Sequence, residues 1–117
     1  MEKIRMDDPE ERDFESAIDY LELLLDENKI KSLMQSLKKS TTVFKKAKDI
    51  LRASGLSLLP EDNIHVKKDI KKVRKWEKLS PILLIKSNEK LIIADGYHRA
   101  CAIYYLSEDL VIPCRLA

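Results

Sequence analysis

The sequence predicts an α+β fold in which a small mixed β-sheet with helices is preceded by about three α-helices. Three observations lead to this prediction. Apolar residues recur at helical spacing through residues 1–55, whereas short apolar runs bounded by polar turns dominate residues 56–117. An almost entirely apolar helix is predicted over residues 97–106, between two of these runs. The length of 117 residues suits one domain with a modest core.

The first two helices are predicted from their caps and their apolar spacing. Asp8 is a favourable capping residue, Pro9 suits the first helical position, and acidic residues fill the first turn. The apolar face that follows consists of Phe14, Ala17, Ile18, Leu21, Leu24 and Leu25. Asn28 is predicted to cap a second helix, whose apolar residues are Ile30, Leu33, Met34 and Leu37.

A third helix is predicted after the polar interruption Ser40-Thr41-Thr42, and it ends at Ser54-Gly55. Its apolar residues are Val43, Phe44, Ala47, Ile50 and Leu51. Residues 1–55 are therefore predicted to form a helical extension packed on a core of residues 56–117, as one compact unit. The apolar faces of the extension either join the core or form a homodimer interface, and the sequence leaves both open.

The second half is predicted to alternate between short strands and two helices. Leu56–Pro60 is predicted to be a short buried strand or an extended segment, followed by a turn and a helix with Val66, Ile70 and Val73 on one face. The predicted strands are residues 81–85, 90–93 and 111–116, and the first two form a hairpin. Pro113 should lie at an edge, a bulge or a strand start, since proline donates no ladder hydrogen bond. Trp76 is expected to be a partial core anchor.

The most informative stretch is Asp95-Gly96-Tyr97-His98-Arg99, where a strand gives way to the apolar helix. A cation in the first turn of a helix opposes the helix dipole, but it suits an anion held by backbone N–H groups. Gly96 would let that anion approach the backbone. In the alternative interpretation, Asp95 caps the helix and Arg99 pairs with Asp95 or another carboxylate. Spacing alone does not separate these interpretations.

This motif, followed by Ile112-Pro113-Cys114-Arg115-Leu116, resembles the core of the ParB/sulfiredoxin superfamily, which includes the ParB-like N-terminal and nuclease domains. Leu79–Ile85 resembles the preceding strand of ParB-like domains, so the resemblance covers residues 56–117. It implies contacts between nucleotide phosphates and Gly96, Tyr97, His98 and Arg99. Tyr97 stands where sulfiredoxins carry the catalytic cysteine, so sulfinic-acid reductase activity is not expected.

The first function predicted is therefore binding of a nucleotide or another phosphorylated small molecule, with phosphoryl transfer or nucleotide hydrolysis as an extension. His98 and Asp95 are the catalytic candidates. Asp95 either caps the helix or helps to hold a Mg²⁺ ion that accompanies ATP, ADP or CTP, because hard cations prefer carboxylate oxygens. The sequence leaves turnover open.

An uneven charge distribution suggests a second function. Residues 1–28 carry a net charge of −8 and residues 29–78 a net charge of +10, while residues 79–117 are balanced. The basic residues Lys67, Lys71, Arg74, Lys75 and Lys78 are predicted to share a helix face. That face predicts either a DNA-binding or nuclease-like accessory protein, or a partner for the acidic segment within the chain or across a dimer. A non-catalytic protein-interaction module is the third alternative.

Cysteine and histidine usage predicts no metal site. Cys101, Cys114, His65 and His98 lack metal-ligand spacing, and both cysteines are expected to be buried thiols. No apolar run approaches the ~20 residues of a membrane span. A cytoplasmic location without membrane contact is therefore expected.

Overall fold

A four-stranded mixed sheet surrounded by five helices forms the fold, in a computed structural model that describes residues 8–75 and 78–117. The predicted α+β class is confirmed at this level. The elements in chain order are α1 (Glu11–Leu21), α2 (Glu27–Lys39), β1 (Val43–Lys46), α3 (Ala47–Ser54), α4 (Ile64–Arg74), β2 (Ile82–Lys86), β3 (Leu91–Asp95), α5 (Tyr97–Leu106) and β4 (Val111–Leu116).

The strand order is β1-β4-β2-β3, which makes the last of these strands in the chain an inner strand. β2 and β3 form the predicted antiparallel hairpin. After α5, β4 pairs in parallel with β2 and antiparallel with β1. The first 55 residues thus contribute a strand to the same sheet as residues 82–116.

That strand, β1, corrects the predicted third helix. Val43 and Phe44 were expected to be helical, but Val43–Lys46 is a strand and α3 begins only at Ala47. Two apolar residues followed by two lysines match the period of a helix and that of a strand equally well. β-Branched and aromatic residues also pack well on a sheet. The predicted end is confirmed, because Gly55 terminates α3 in the left-handed conformation, with φ of 70°.

Both predicted caps of the first two helices are wrong by a few residues. α1 begins at Glu11, where the Glu10 backbone N–H donates to Asp13 Oδ2 at 2.8 Å. α2 is capped by Asp26 rather than Asn28, and Asp26 Oδ1 accepts from the Lys29 N–H at 2.9 Å. An acidic side chain in each case satisfies the first free N–H groups of the helix or its cap.

Both faces of the sheet are covered, and β2 shows this most clearly. Ile82 and Leu84 pack in a core with residues of α3, α4 and α5, while Leu83 and Ile85 pack with α1 and α2. Alternate side chains of a strand point to opposite faces. The helices therefore form one layer on each side of the sheet, and α1 and α4 belong to different layers.

Arg115 of β4 joins the layer of α1 and α2 to the sheet. The residue is buried, with 8% of its surface exposed. Its guanidinium donates to Thr42 Oγ1 at 2.9 Å, to the Leu37 and Lys38 carbonyls at 3.2 Å, and to Asp8 Oδ1 at 2.7 Å. Asp8 therefore pairs with Arg115 instead of capping α1. The carbonyls at the end of α2 gain a cationic donor.

Three other local predictions have mixed outcomes. Leu56–Pro60 lies outside helices and strands, but Leu56 and Leu58 are 37% and 38% exposed, so the expected burial is wrong. Pro113 lies within the inner strand β4, opposite Phe44. The parallel ladder with β2 begins only at Cys114, so Pro113 pairs with β1 but not with β2. Trp76 lies outside the described residues.

Candidate functional site

The strand-to-helix junction has the predicted boundaries, with Asp95 ending β3 and Tyr97 beginning α5. Gly96 is the N-cap and has φ of 105°, a conformation that favours glycine. A Cβ atom at this position would lie 2.7 Å from Ile82 Cβ. Asp95 is therefore not the cap, contrary to that part of the alternative interpretation, and no side chain caps α5.

Arg99 lies in the first turn of α5 and is held by three internal partners. Nη2 pairs with Asp95 Oδ2, while Nη1 donates to the Ser80 carbonyl at 3.0 Å and to the Ser80 hydroxyl. Nη1 also lies 3.4 Å from Asp13 Oδ1. The side chain is 12% exposed. The predicted pairing of Arg99 with Asp95 is thus present, and the guanidinium links α5, β3, α1 and the segment before β2.

Asp13 is the site residue that the sequence analysis missed. It was not singled out there, yet its side chain is 8% exposed and faces Arg99, 86 positions away in the chain. A signal was available, because Asp13, Ala17 and Leu21 are four residues apart and lie on the buried row of α1. A charged residue on a buried row needs a partner of opposite charge.

Beside this ion-pair network lies a cavity of about 270 Å³, which we call the site cavity. The junction contributes Asp95, Gly96, His98 and Arg99 to its lining. Helix α4 contributes His65, Lys68, Asp69 and Lys72, and Lys78, Leu79 and Ser80 follow from the next segment. The α1 region contributes Glu10, Arg12, Asp13 and Ser16. Four of the five motif residues therefore lie at one hollow.

The aromatic side chains of the motif have different surroundings. The His98 ring lies 4.8 Å from the His65 ring between centroids, so α4 and α5 bring both histidines of the chain together. Tyr97 is not one of the described residues that line the cavity. Its hydroxyl donates to the Ser57 carbonyl instead. The contact between Tyr97 and a ligand stays a prediction that this structure does not support directly.

The electrostatics of the cavity shift three pKa values. Burial raises the pKa of Asp95 to about 6, with the Asp13 carboxylate adding to the shift and Arg99 opposing it. Burial also raises the pKa of Asp69. Burial and the neighbouring His65 lower the pKa of His98. Since one guanidinium serves two buried carboxyl groups, Asp95 is poised to exchange a proton near neutral pH.

The raised pKa of Asp95 predicts a pH-dependent stability. The folded protein binds this proton more tightly than the unfolded chain, whose aspartate pKa is about 3.9. The contribution of Asp95 to stability is therefore greatest below pH 4 and falls by about 1–3 kcal/mol as the pH rises to 7. Urea unfolding should show that Asp95→Asn gains stability relative to the wild type between pH 4 and pH 7. A constant difference across that range would contradict the prediction.

The residues of the predicted basic face line different hollows. Lys78 lines the site cavity together with Lys68 and Lys72, whereas Lys67, Lys71 and Arg74 line a separate hollow with Glu61 and Asp62. Lys75, the C-cap of α4, is exposed and belongs to neither lining. Nucleic-acid binding through these five residues stays a prediction.

No protein-family model, curated protein or solved structure matches the chain. The likeness to the ParB/sulfiredoxin superfamily and the cytoplasmic location therefore stay predictions. Within residues 8–75 and 78–117, no helix has the length and apolar character needed to cross a membrane. The same residues contain no group of three or more histidine, cysteine, aspartate or glutamate side chains placed to hold a metal ion.

Proposed function

We propose that the site cavity binds the phosphate group of a nucleotide or another phosphorylated small molecule. The observation that carries this proposal is that Lys68, Lys72 and Lys78 line the same cavity as the uncapped N-terminus of α5. Among the described residues none of these lysines forms an ion pair. The free N–H groups and the dipole of a helix N-terminus favour an anion, and unpaired ammonium groups add charge-assisted donors.

The carboxyl groups of the cavity cancel only part of this positive charge. Glu10 pairs with Arg12 at 2.9 Å, and Asp13 and Asp95 share Arg99. Burial raises the pKa of Asp69, and it raises that of Asp95 to about 6. The lining holds five lysine and arginine side chains against four carboxyl groups, so a surplus of positive charge remains for a ligand.

In this proposal Arg99 is a positioning residue, which differs from the role implied by the resemblance. Its guanidinium is occupied by Asp13, Asp95 and Ser80, so it shapes the wall of the cavity. The direct phosphate contacts come from the lysines, from the backbone after Gly96 and from His98. Asp95 and His98 are the acid–base candidates, because a pKa near 6 suits proton transfer close to neutral pH.

Thermal unfolding with ATP, ADP, CTP and GTP, each with and without Mg²⁺, tests the proposal. A ligand at 100 times its Kd should add about 2.7 kcal/mol of stability, a Tm increase on the order of 10 °C for a domain of this size. The same panel measures whether Mg²⁺ is required, and release of inorganic phosphate measures turnover. The site is rejected if no nucleotide raises the Tm.

A matched pair of variants on α4 places the ligand. Lys68→Ala with Lys72→Ala removes two charges from the cavity and should weaken binding at least tenfold, since each charged hydrogen bond contributes about 1.5–3 kcal/mol. Lys67→Ala with Lys71→Ala removes two charges from the neighbouring face of the same helix, which lines a separate hollow, and should leave the nucleotide-induced Tm shift unchanged. The reverse pattern would move the ligand out of the cavity.

A further inference from the structure

Helix α1 presents a row of acidic side chains to solvent. Glu11, Glu15 and Asp19 are four residues apart and exposed. Residues at this spacing lie along one side of a helix. Leu23 lies four residues beyond Asp19, in the turn that follows α1, and is 80% exposed. Among the described residues none of these carboxylates forms an ion pair.

Helix α4 and its cap present a basic row with the same spacing. Lys67, Lys71 and Lys75 are four residues apart and exposed, and no ion pair within the described ranges involves them. Ile64 precedes Lys67 by three residues and is 76% exposed. Among the described residues, Leu23 and Ile64 are the most exposed large apolar side chains. Each lies at one end of a charged row.

The two rows do not meet within one molecule. α1 and α4 pack in different core clusters, and the site cavity lies between them, lined by other residues of both helices. The carboxylates of residues 8–28 that form ion pairs use Arg12, Lys31, Arg99 and Arg115, none of which belongs to α4. Among the described residues no ion pair joins α1 to α4 within one molecule, which leaves a contact across a dimer for these two rows.

We propose that the acidic row of α1 binds the basic row of α4 in a second copy of this chain, with the two helices antiparallel. In that orientation Glu11, Glu15 and Asp19 face Lys75, Lys71 and Lys67 in turn, along about 12 Å of helix. The same register brings Leu23 next to Ile64. Charges and apolar residues therefore match along the whole contact, and a two-fold axis would form it twice.

The chemistry of the basic row favours this partner over nucleic acid. Glu61 and Asp62 line the same hollow as Lys67 and Lys71 and repel a carboxylate as well as a phosphate, so the apolar end of the row separates the two partners. A phosphate backbone gives no cover to an exposed isoleucine. An acidic helix with an apolar residue at its end covers both features, and α1 is such a helix.

Charge reversal on each row, followed by mixing, tests the contact. Sedimentation equilibrium at low salt should show the wild type associating beyond the 13.6 kDa of one chain, with weaker association in 1 M NaCl. Glu15→Lys with Asp19→Lys, and Lys67→Glu with Lys71→Glu, should each weaken self-association at least tenfold. A mixture of the two variants should associate again, because one contact of the mixed dimer then has both altered charge pairs in reverse and the other contact keeps its native pairs.

Lys29→Glu with Lys39→Glu on α2 gives the control for the basic row, since it makes the same charge change as Lys67→Glu with Lys71→Glu at exposed positions outside both rows. Circular dichroism verifies that each variant is folded. The proposal is overturned by a monomeric wild type, by variants that still self-associate or by a mixture that stays monomeric. It is also overturned if monomers instead bind a DNA duplex through Lys67 and Lys71, which would make nucleic acid the partner of this row.

Discussion

Arg99→Ala is expected to lower the free energy of unfolding at pH 7 by about 3–5 kcal/mol, because it leaves buried carboxylates without their cation. Asp13 and Asp95 both approach the guanidinium, and their side chains are 8% and 16% exposed. The Ser80 carbonyl loses its donor as well. Urea unfolding measures the loss. It should be smaller at pH 5, where protonation relieves the repulsion between the two carboxyl groups.

Arg52→Ala is the matched control for this change. Arg52 also pairs with an aspartate on its own helix, Asp49, at 3.4 Å, but its side chain is 85% exposed. Exposed ion pairs contribute about 0–1 kcal/mol, so Arg52→Ala should be nearly neutral. Similar losses for the two variants would mean that Arg99 has no special role in joining α1 to α5.

Gly96→Ala is expected to destabilise the protein by about 2–5 kcal/mol, the sum of backbone strain and overpacking. The residue has φ of 105°, and a Cβ atom would collide with the side chain of Ile82, which is fully buried in β2. Chemical denaturation gives the magnitude, and loss of nucleotide binding in folded Gly96→Ala would connect the junction to the proposed site.

Gly55→Ala separates strain from collision. Gly55 has φ of 70°, and nothing lies within 4 Å of the position that a Cβ atom would take. Only the backbone cost of about 1–2 kcal/mol should appear. If Gly55→Ala were as damaging as Gly96→Ala, the contact with Ile82 would not be the cause of the larger loss.

The sequence was most informative where one local pattern had one structural solution. The helix over residues 97–106 is confirmed to the residue, because glycine marks its start and a polar turn its end. Val43–Lys46 was mistaken for helix, since so short a segment carries no clear period. Its partner strand lies some 70 positions away, and local spacing contains no information about that pairing.

The candidate site was predictable at the junction but not around it. The motif pointed to a place at the start of α5, and four of its five residues line the cavity. The side chains facing them come from α1 and α4, which tertiary packing brings together. Asp13 could not be assigned to the site from its position alone, since an acid in the first turn also stabilises its own helix. Its buried row was the available indication.

The inner position of β4 has a consequence for how the chain folds during synthesis. The ribosome releases β1, the hairpin of β2 and β3, and α5 before the strand that joins β1 to β2. Until residue 116 has emerged, the nascent protein holds an incomplete sheet with open strand edges, which are prone to pair with other chains. Cooperative folding should therefore be a late event, and its rate should depend on closing long loops rather than on forming helices.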